Sequence, residues 1–268
     1  MNSPEQDPPH NTIDPNLLDR LIENTFVDRA EHHTSLCSTN DRGLELASHA
    51  PDGVQLIYAE NQTKGRGRGD HRWHSAPGSL TFSILVPLPR ASATVLSLQV
   101  AVAIAKACND VLQKKKVKVK WPNDLYLSDR KLGGILIEAP ARGGRWVIGI
   151  GLNVNNRTGN VIPGGSDPAS LAAEAGTPLD RAIILQELLN QIGMLWKSEI
   201  ASATAPDDWG DFCLLTGRHI DVDTHHQTIR GTCRGIDTTG RLLLETPPRP
   251  GESVELQAFA SVEKISWA

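Results

Sequence analysis

The sequence predicts a mixed α/β protein that ends in a small, separate β-barrel. Two observations carry this. Up to about residue 213, short strand-like runs are interleaved with amphipathic helical patterns. From about 214 onward only short strand-like runs remain, evenly spaced, with turn residues between them. The expected division is a tail over 1–12, a larger domain over 13–213 and a barrel over 214–268. The 268 residues, 39% hydrophobic and 22% charged, suffice for such a core without covalent staples.

Residues 1–12 are polar and Pro-rich and predict a disordered tail with no signal peptide. Residues 14–24 place Leu17, Leu18, Leu21 and Ile22 on one helix face, with Asp14 as N-cap and Pro15 in the first turn. A strand follows over about 27–36. Ser38, Thr39, Asn40 and Asp41 then open a helix over about 40–50. They read equally as a plain N-cap and as a polar cluster that holds a small ligand. Residues 54–60 and 78–86 predict strands, the second ended by Pro87. The clearest helix spans 92–113, striped by Val95, Leu98, Val102, Ala105 and Leu112 and capped by Ser92. No run approaches the ~20 apolar residues of a membrane-spanning helix.

Val117 and Val119 alternate with Lys118 and Lys120 in a strand with one basic face. It leads into Trp121-Pro122-Asn123-Asp124, a rigid turn that presents an amide and a carboxylate together. A partner strand begins within 129–138. Lys131 lies just before its apolar run, where a lysine is costly without an anionic partner. In the strand over 146–154, Ile148, Ile150, Leu152 and Val154 form one face and Gly149, Gly151 and Asn153 the other. The glycine face predicts open space for a flat base, with an amide at its end. A loop over 155–168 and short helices over 170–175 and 206–213 complete the first part. Between them lies a helix over 180–198, capped by Asp180, with Ile183, Ile184, Leu188, Ile192 and Leu195 apolar. The barrel strands are expected at about 218–223, 227–236, 241–245, 253–257 and 261–265, with a hairpin turn at Thr238-Thr239-Gly240.

The segment with most chemical information is Asn61–Trp73. Gly65, Gly67 and Gly69 alternate with Arg66 and Arg68, while Lys64 and Arg72 leave Asp70 the only acid, in a chain of net charge −4. Such a loop cannot pack as core. Its glycines leave amides open to an anion, and its cations favour phosphate or carboxylate. Alone it also fits a solvated or RNA-binding tract. The acidic balance of the chain and the lack of a recognition helix count against nucleic-acid binding. Cys37, Cys108, Cys213 and Cys233 are widely spaced and suggest neither a disulfide framework nor a zinc site, which fits a reduced cytoplasm.

Ser38-Thr39-Asn40, Gln62 with Gly65-Arg66-Gly67-Arg68 and Trp73, Lys120-Trp-Pro-Asn-Asp124, Lys131-Leu-Gly-Gly-Ile-Leu-Ile-Glu138 and Gly149-Ile-Gly-Leu-Asn153 stand in the order and spacing of biotin–protein ligases. The resemblance runs from about residue 14 to the end. Arg234-Gly-Ile-Asp237 and Gly240-Arg-Leu-Leu-Leu-Glu245 resemble the SH3-like C-terminal domain of that family. The resemblance implies an α/β catalytic domain related to class II aminoacyl-tRNA synthetases, with a mixed sheet. It implies that biotin and MgATP give biotinyl-5′-AMP and pyrophosphate, and that biotin then passes to one lysine of a biotin carboxyl carrier protein.

By the same resemblance the biotin site is Ser38, Thr39, Asn40, Gln62, Gly65, Arg66, Gly67, Arg68, Lys131 and Gly134. The ATP site is Arg68, Trp73, Lys120, Asn123, Lys131, Gly151 and Asn153, and Lys131, Arg68 and Asp124 are catalytic. Mg2+ is expected on phosphate oxygens and water. A homodimer through the sheet edge is compatible with the family, and neither a membrane nor nucleic acid is an expected partner. No helix-turn-helix domain is expected before the catalytic part, which implies a monofunctional ligase. Gly69, Asp70 and His71 depart from the bacterial pattern, with His71 in place of a further loop arginine.

Three other readings stay open. A lipoate or octanoate ligase of the same superfamily needs no Ser38-Thr39-Asn40 cluster, since lipoate has no ureido group. A non-catalytic carrier-binding module would tolerate loss of Lys131 or Asp124. A regulatory nucleic-acid-binding protein would need a basic face.

Overall fold

A computed structural model describes residues 16–49, 52–87, 91–114, 116–140, 144–156, 168–197, 204–247 and 254–267. The expected tail, the Asp14 cap, Pro15 and most of the 155–168 loop lie outside them. Helix α1 (Leu17–Asn24) starts after Asn16 and buries Leu17 and Leu21. Strand β1 (Arg29–Leu36) runs parallel to β2 (Gln55–Gln62), and α2 (Thr39–Ala47) makes the crossover. Strand β3 (Ser79–Val86) is buried along its whole length and pairs antiparallel with β2.

Helix α3 (Ala93–Leu112) starts at the expected cap, where Ser92 accepts from the Val95 amide. Contrary to the sequence expectation, it is long and apolar enough to cross a membrane. It is apolar nearly all round because it lies between the sheet and a second long helix, so most of it is buried inside the fold.

Strands β4 (Val117–Lys120), β5 (Asp124–Leu127), β6 (Arg130–Glu138) and β7 (Trp146–Asn153) complete a seven-stranded mixed sheet of order β1-β2-β3-β7-β6-β5-β4. The sequence reading has no strand at 124–127. The turn is confined to 121–123, and Asp124 is the first residue of a four-residue strand too short to register as a period of its own. Helices α4 (Leu171–Ala175) and α5 (Arg181–Lys197) follow, then α6 (Trp209–Phe212). Asp180 caps α5, its carboxylate accepting from the Ala182 amide at 2.8 Å. Ile183, expected on the buried stripe, is 65% exposed on the outer face, while Ile184, Leu188 and Ile192 are buried.

Strands β8 (His219–Asp223), β9 (Thr228–Ile236), β10 (Leu242–Thr246), β11 (Glu255–Phe259) and β12 (Lys264–Trp267) form an antiparallel sheet of order β11-β10-β9-β8-β12. Among the described residues its edge strands do not pair, so the expected barrel is not closed. Nor does it stand apart. Trp121 is almost fully buried, and its Nε1 donates to Gly240 O at 2.9 Å. A methyl group on Gly240 would fall 2.9 Å from Leu98 Cδ1 of α3. The hairpin turn of the second sheet is thus seated on the core of the first.

Candidate functional site

A cavity of about 990 Å³ opens between the two sheets. Its walls come from the start of α2, the glycine–arginine loop, the β4–β5 turn, β6 and β7. Residues 261–265, leading into β12, close the remaining side.

One end is neutral and polar. Ser38, Thr39 and Asn40 are buried at the N-terminus of α2. Ser38 is the expected N-cap, accepting from the Asp41 amide, and it also lines the cavity. The Thr39 amide and hydroxyl both donate to Gln62 Oε1, at 2.7 and 3.0 Å. Asn40 Nδ2 donates to Leu136 O at 3.2 Å and to Glu138 Oε2 at 2.8 Å. Ser83 Oγ lies 2.7 Å from both Thr39 Oγ1 and Asn40 Oδ1 and joins these side chains into one network. Neither Ser83 nor Glu138 stood out in the sequence. Ser83 is one hydroxyl in a wholly buried strand, and Glu138 reads as the polar end of an apolar run.

The glycine–arginine loop is folded into a tight hairpin. Trp73 N donates to Gly65 O at 3.0 Å, Gly67 N to His71 O at 2.8 Å and His71 N to Arg68 O at 3.2 Å. Gly69 turns it with φ +57°, so the Gly69-Asp70-His71 departure lies at the tip. Its two arginines are not equivalent. Arg66 makes a bidentate pair with Glu138, at 2.8 and 2.7 Å, and a further contact to Asp41 at 2.8 Å. The Glu138 hydrogen bonds push its pKa up against the cost of burial. Arg68 forms no salt bridge with any described residue and lines the cavity. Enclosure lowers its pKa, and the field of Asp124 opposes this.

The glycine face of β7 is not open space. A methyl group on Gly149 would meet Asn40 Oδ1 at 2.0 Å, and one on Gly151 the Trp73 ring at 2.4 Å. These glycines admit the side chains of α2 and of the loop. The cavity reaches β7 beside those two side chains, at Gly149, Ile150 and Gly151. The structure does not bring Gly65 or Asn153 to the cavity wall. A methyl group on Gly65 would meet Trp73 O at 2.5 Å, and Asn153 is buried, its Oδ1 accepting from Asn156 Nδ2 at 3.0 Å.

The other end is cationic. Lys131 Nζ lies 2.6 Å from Asp124 Oδ1, the anionic partner that its position demanded. Gly134 faces the same carboxylate and leaves room beside it. Lys120 donates to Ile265 O at 3.0 Å and lies 4.7 Å from the centre of the Trp267 ring. Burial lowers its pKa; Asp124 opposes this, and Lys131 and Lys264 add to it. Asn123 lines the cavity, but its Nδ2 is engaged by Ile135 O at 2.7 Å. Among the described residues no group of three acidic, His or Cys side chains could hold a metal. Asp124, the cavity-lining carboxylate at this end, is paired with Lys131.

Residues 34–155 match the biotin/lipoate A/B protein ligase family, and residues 215–257 match the biotin protein ligase C-terminal domain. The chain is 33% identical over 225 residues to the bifunctional ligase/repressor BirA of Bacillus subtilis, covering 80% of this chain and 69% of that one. It is 30% identical over 223 residues to the biotin–[acetyl-CoA-carboxylase] ligase of Paracoccus denitrificans, covering 78% of this chain and 91% of that one. Its fold is similar to that of a biotin protein ligase from Aquifex aeolicus solved with biotin and ATP. There the TM-score is 0.74 at 24% identity, with 90% of this chain and 99% of that one covered.

Proposed function

The chain belongs to the biotin–protein ligase family, and on that premise we propose that it is an ATP-dependent, AMP-forming ligase that attaches biotin to a carrier protein. The observation that carries this reading is a single cavity with a neutral, hydrogen-bonding pocket at one end and Lys131, Arg68 and Lys120 at the other. Biotin matches that polarity, with a ureido ring at one end and a carboxylate at the other. Lipoate has no ureido group to engage the hydroxyl and amide groups of Ser38, Thr39 and Asn40 that line the neutral end.

In the first step a carboxylate oxygen of biotin attacks the α-phosphorus of ATP. The bond from that phosphorus to the bridging oxygen breaks, and pyrophosphate leaves. Two anions meet, so fixed cations lower the barrier where charge develops. Lys131 is assigned to both the carboxylate and the α-phosphate, Arg68 to the phosphate, and Lys120 and Asn123 to the nucleotide end. Trp73 shelters the adenine. Mg2+ brought by ATP would offset the charge of the phosphates, and no side chain is assigned to it. In the second step a carrier lysine attacks the acyl carbon and AMP leaves. Asp124 is assigned to take the proton from the incoming amine.

Residues 13–213 form the catalytic domain and 214–268 the SH3-like domain in this reading. The carrier is the biotin carboxyl carrier protein of a carboxylase, and the compartment is the cytoplasm. The test is transfer: with biotin and MgATP, the protein labels the carrier domain on one lysine, detected by mass spectrometry as the added acyl group. Labelling with lipoate in place of biotin, or no labelling with either acid, overturns the assignment.

A further inference from the structure

We infer that Glu138 is a positioning residue that ties the anion-binding loop to the ring pocket. The inference rests on the function proposed above. Glu138 ends β6 and is not on the cavity wall. Its carboxylate lies between the loop and the start of α2. Oε1 accepts from Arg66 Nη1 at 2.8 Å, and Oε2 accepts from Arg66 Nη2 at 2.7 Å and from Asn40 Nδ2 at 2.8 Å. Asp41, next to Asn40, takes the same Arg66 nitrogen at 2.8 Å.

Two consequences follow from the chemistry of these groups. First, Glu138 sets the orientation of the Asn40 amide. Nδ2 faces two acceptors, a carboxylate oxygen of Glu138 (Oε2) paired with Arg66 and the backbone oxygen of Leu136. A flipped amide would set oxygen against oxygen at both, so Oδ1 is held toward Ser83 as an acceptor. Secondly, the bidentate pair fixes the stem of the loop. A planar guanidinium held at both nitrogens by one carboxylate has little freedom left. Arg68 lies two residues further along the same hairpin, so its approach to the cavity is defined by that anchor. One carboxylate therefore organises both the acceptor that meets the ring and the cation that meets the phosphate.

Glu138→Gln tests this, because it keeps the volume and removes the second charged acceptor. Losing charge-assisted hydrogen bonds of this kind is expected to raise KM for biotin in ATP–pyrophosphate exchange about tenfold or more, through the ring pocket, and to lower kcat as well, through the loosened Arg68. Glu138→Asp, which restores the charge, should recover part of the loss. A KM unchanged from the parent protein, or a fall in kcat alone, overturns the assignment. A second measurement needs no activity. Trypsin should cut after Arg66, Arg68 or Arg72 of the unliganded protein faster in Glu138→Gln than in the parent, and equal rates overturn the anchor. If the parent protein shows no exchange with biotin, the ligase reading fails, while the cleavage rates still decide the role of Glu138.

Discussion

Lys131 and Asp124 form an ion pair across two antiparallel strands, Nζ to Oδ1 at 2.6 Å, because a bulge at Leu132 shifts the register between β5 and β6. Tyr126 pairs with Lys131, but Asp124 pairs with Gly134. The extra residue puts Lys131 and Gly134 on one face with Asp124, where strict alternation would have put Lys131 with Gly133. The pair and the space beside it are thus products of one local irregularity.

Replacing Lys131 by Ala removes the cation assigned to both reacting anions. Exchange should fall by about 10²–10³-fold. The lysine side chain is 42% exposed, so urea unfolding should move by no more than about 1 kcal/mol. Normal turnover with an intact fold would remove the catalytic assignment.

The two glycines of β7 should separate the two substrates. Gly149→Ala drives a methyl group into Asn40 and should raise KM for biotin more than for ATP. Gly151→Ala drives one into the Trp73 ring and should do the reverse. Each also carries a packing penalty of about 1–3 kcal/mol, which a melting curve reports separately. An equal effect on both substrates would mean that the glycines serve packing alone.

Lys120, assigned to the nucleotide end, should give ATP binding a pH dependence. Burial lowers its pKa below the ordinary lysine value of about 10.4. As pH rises through the lowered value the cation is lost, so KM for ATP should climb on the alkaline side. Lys120→Arg, which stays charged, should move that limb to higher pH. An identical alkaline limb in the arginine variant would assign it to another group.

Asp237 holds the turn that seats Gly240 on α3. Burial opposes its charge, but hydrogen bonds from the side chains and amides of Thr239 and Arg241 outweigh it and hold the carboxyl at about 2. Its folded pKa is depressed, so its contribution to stability is full above the unfolded value of about 3.9 and is lost as pH falls toward about 2. Asp237→Asn should therefore cost about 1 kcal/mol at pH 7 and little at pH 2, followed by urea unfolding. A cost that does not shrink with acid would exclude the charge as its source.

Much of this was legible in the residues. Capping serines at 38 and 92, the helix stripe of Leu98 and Val102 and the alternation of Val117 and Val119 are local signals, and the elements lie close to where these put them. What the sequence did not disclose depends on partners distant in the chain. The glycines of β7 read as open space because nothing local shows Asn40 and Trp73 arriving over them. Ser83 and Glu138 acquire their roles only when β3, β6 and α2 meet, and the bulge at Leu132 exists only in the pairing. Trp121 read as part of a turn motif, yet its indole joins the two sheets.

The most direct test of the central claim is ATP–pyrophosphate exchange by the purified chain, with biotin or lipoate as the only acid present. Exchange with biotin and not with lipoate is the predicted result, since it requires both the neutral pocket and the cationic end of one cavity. Exchange with lipoate would contradict the reading of Ser38, Thr39 and Asn40, and no exchange with either acid would contradict adenylation itself.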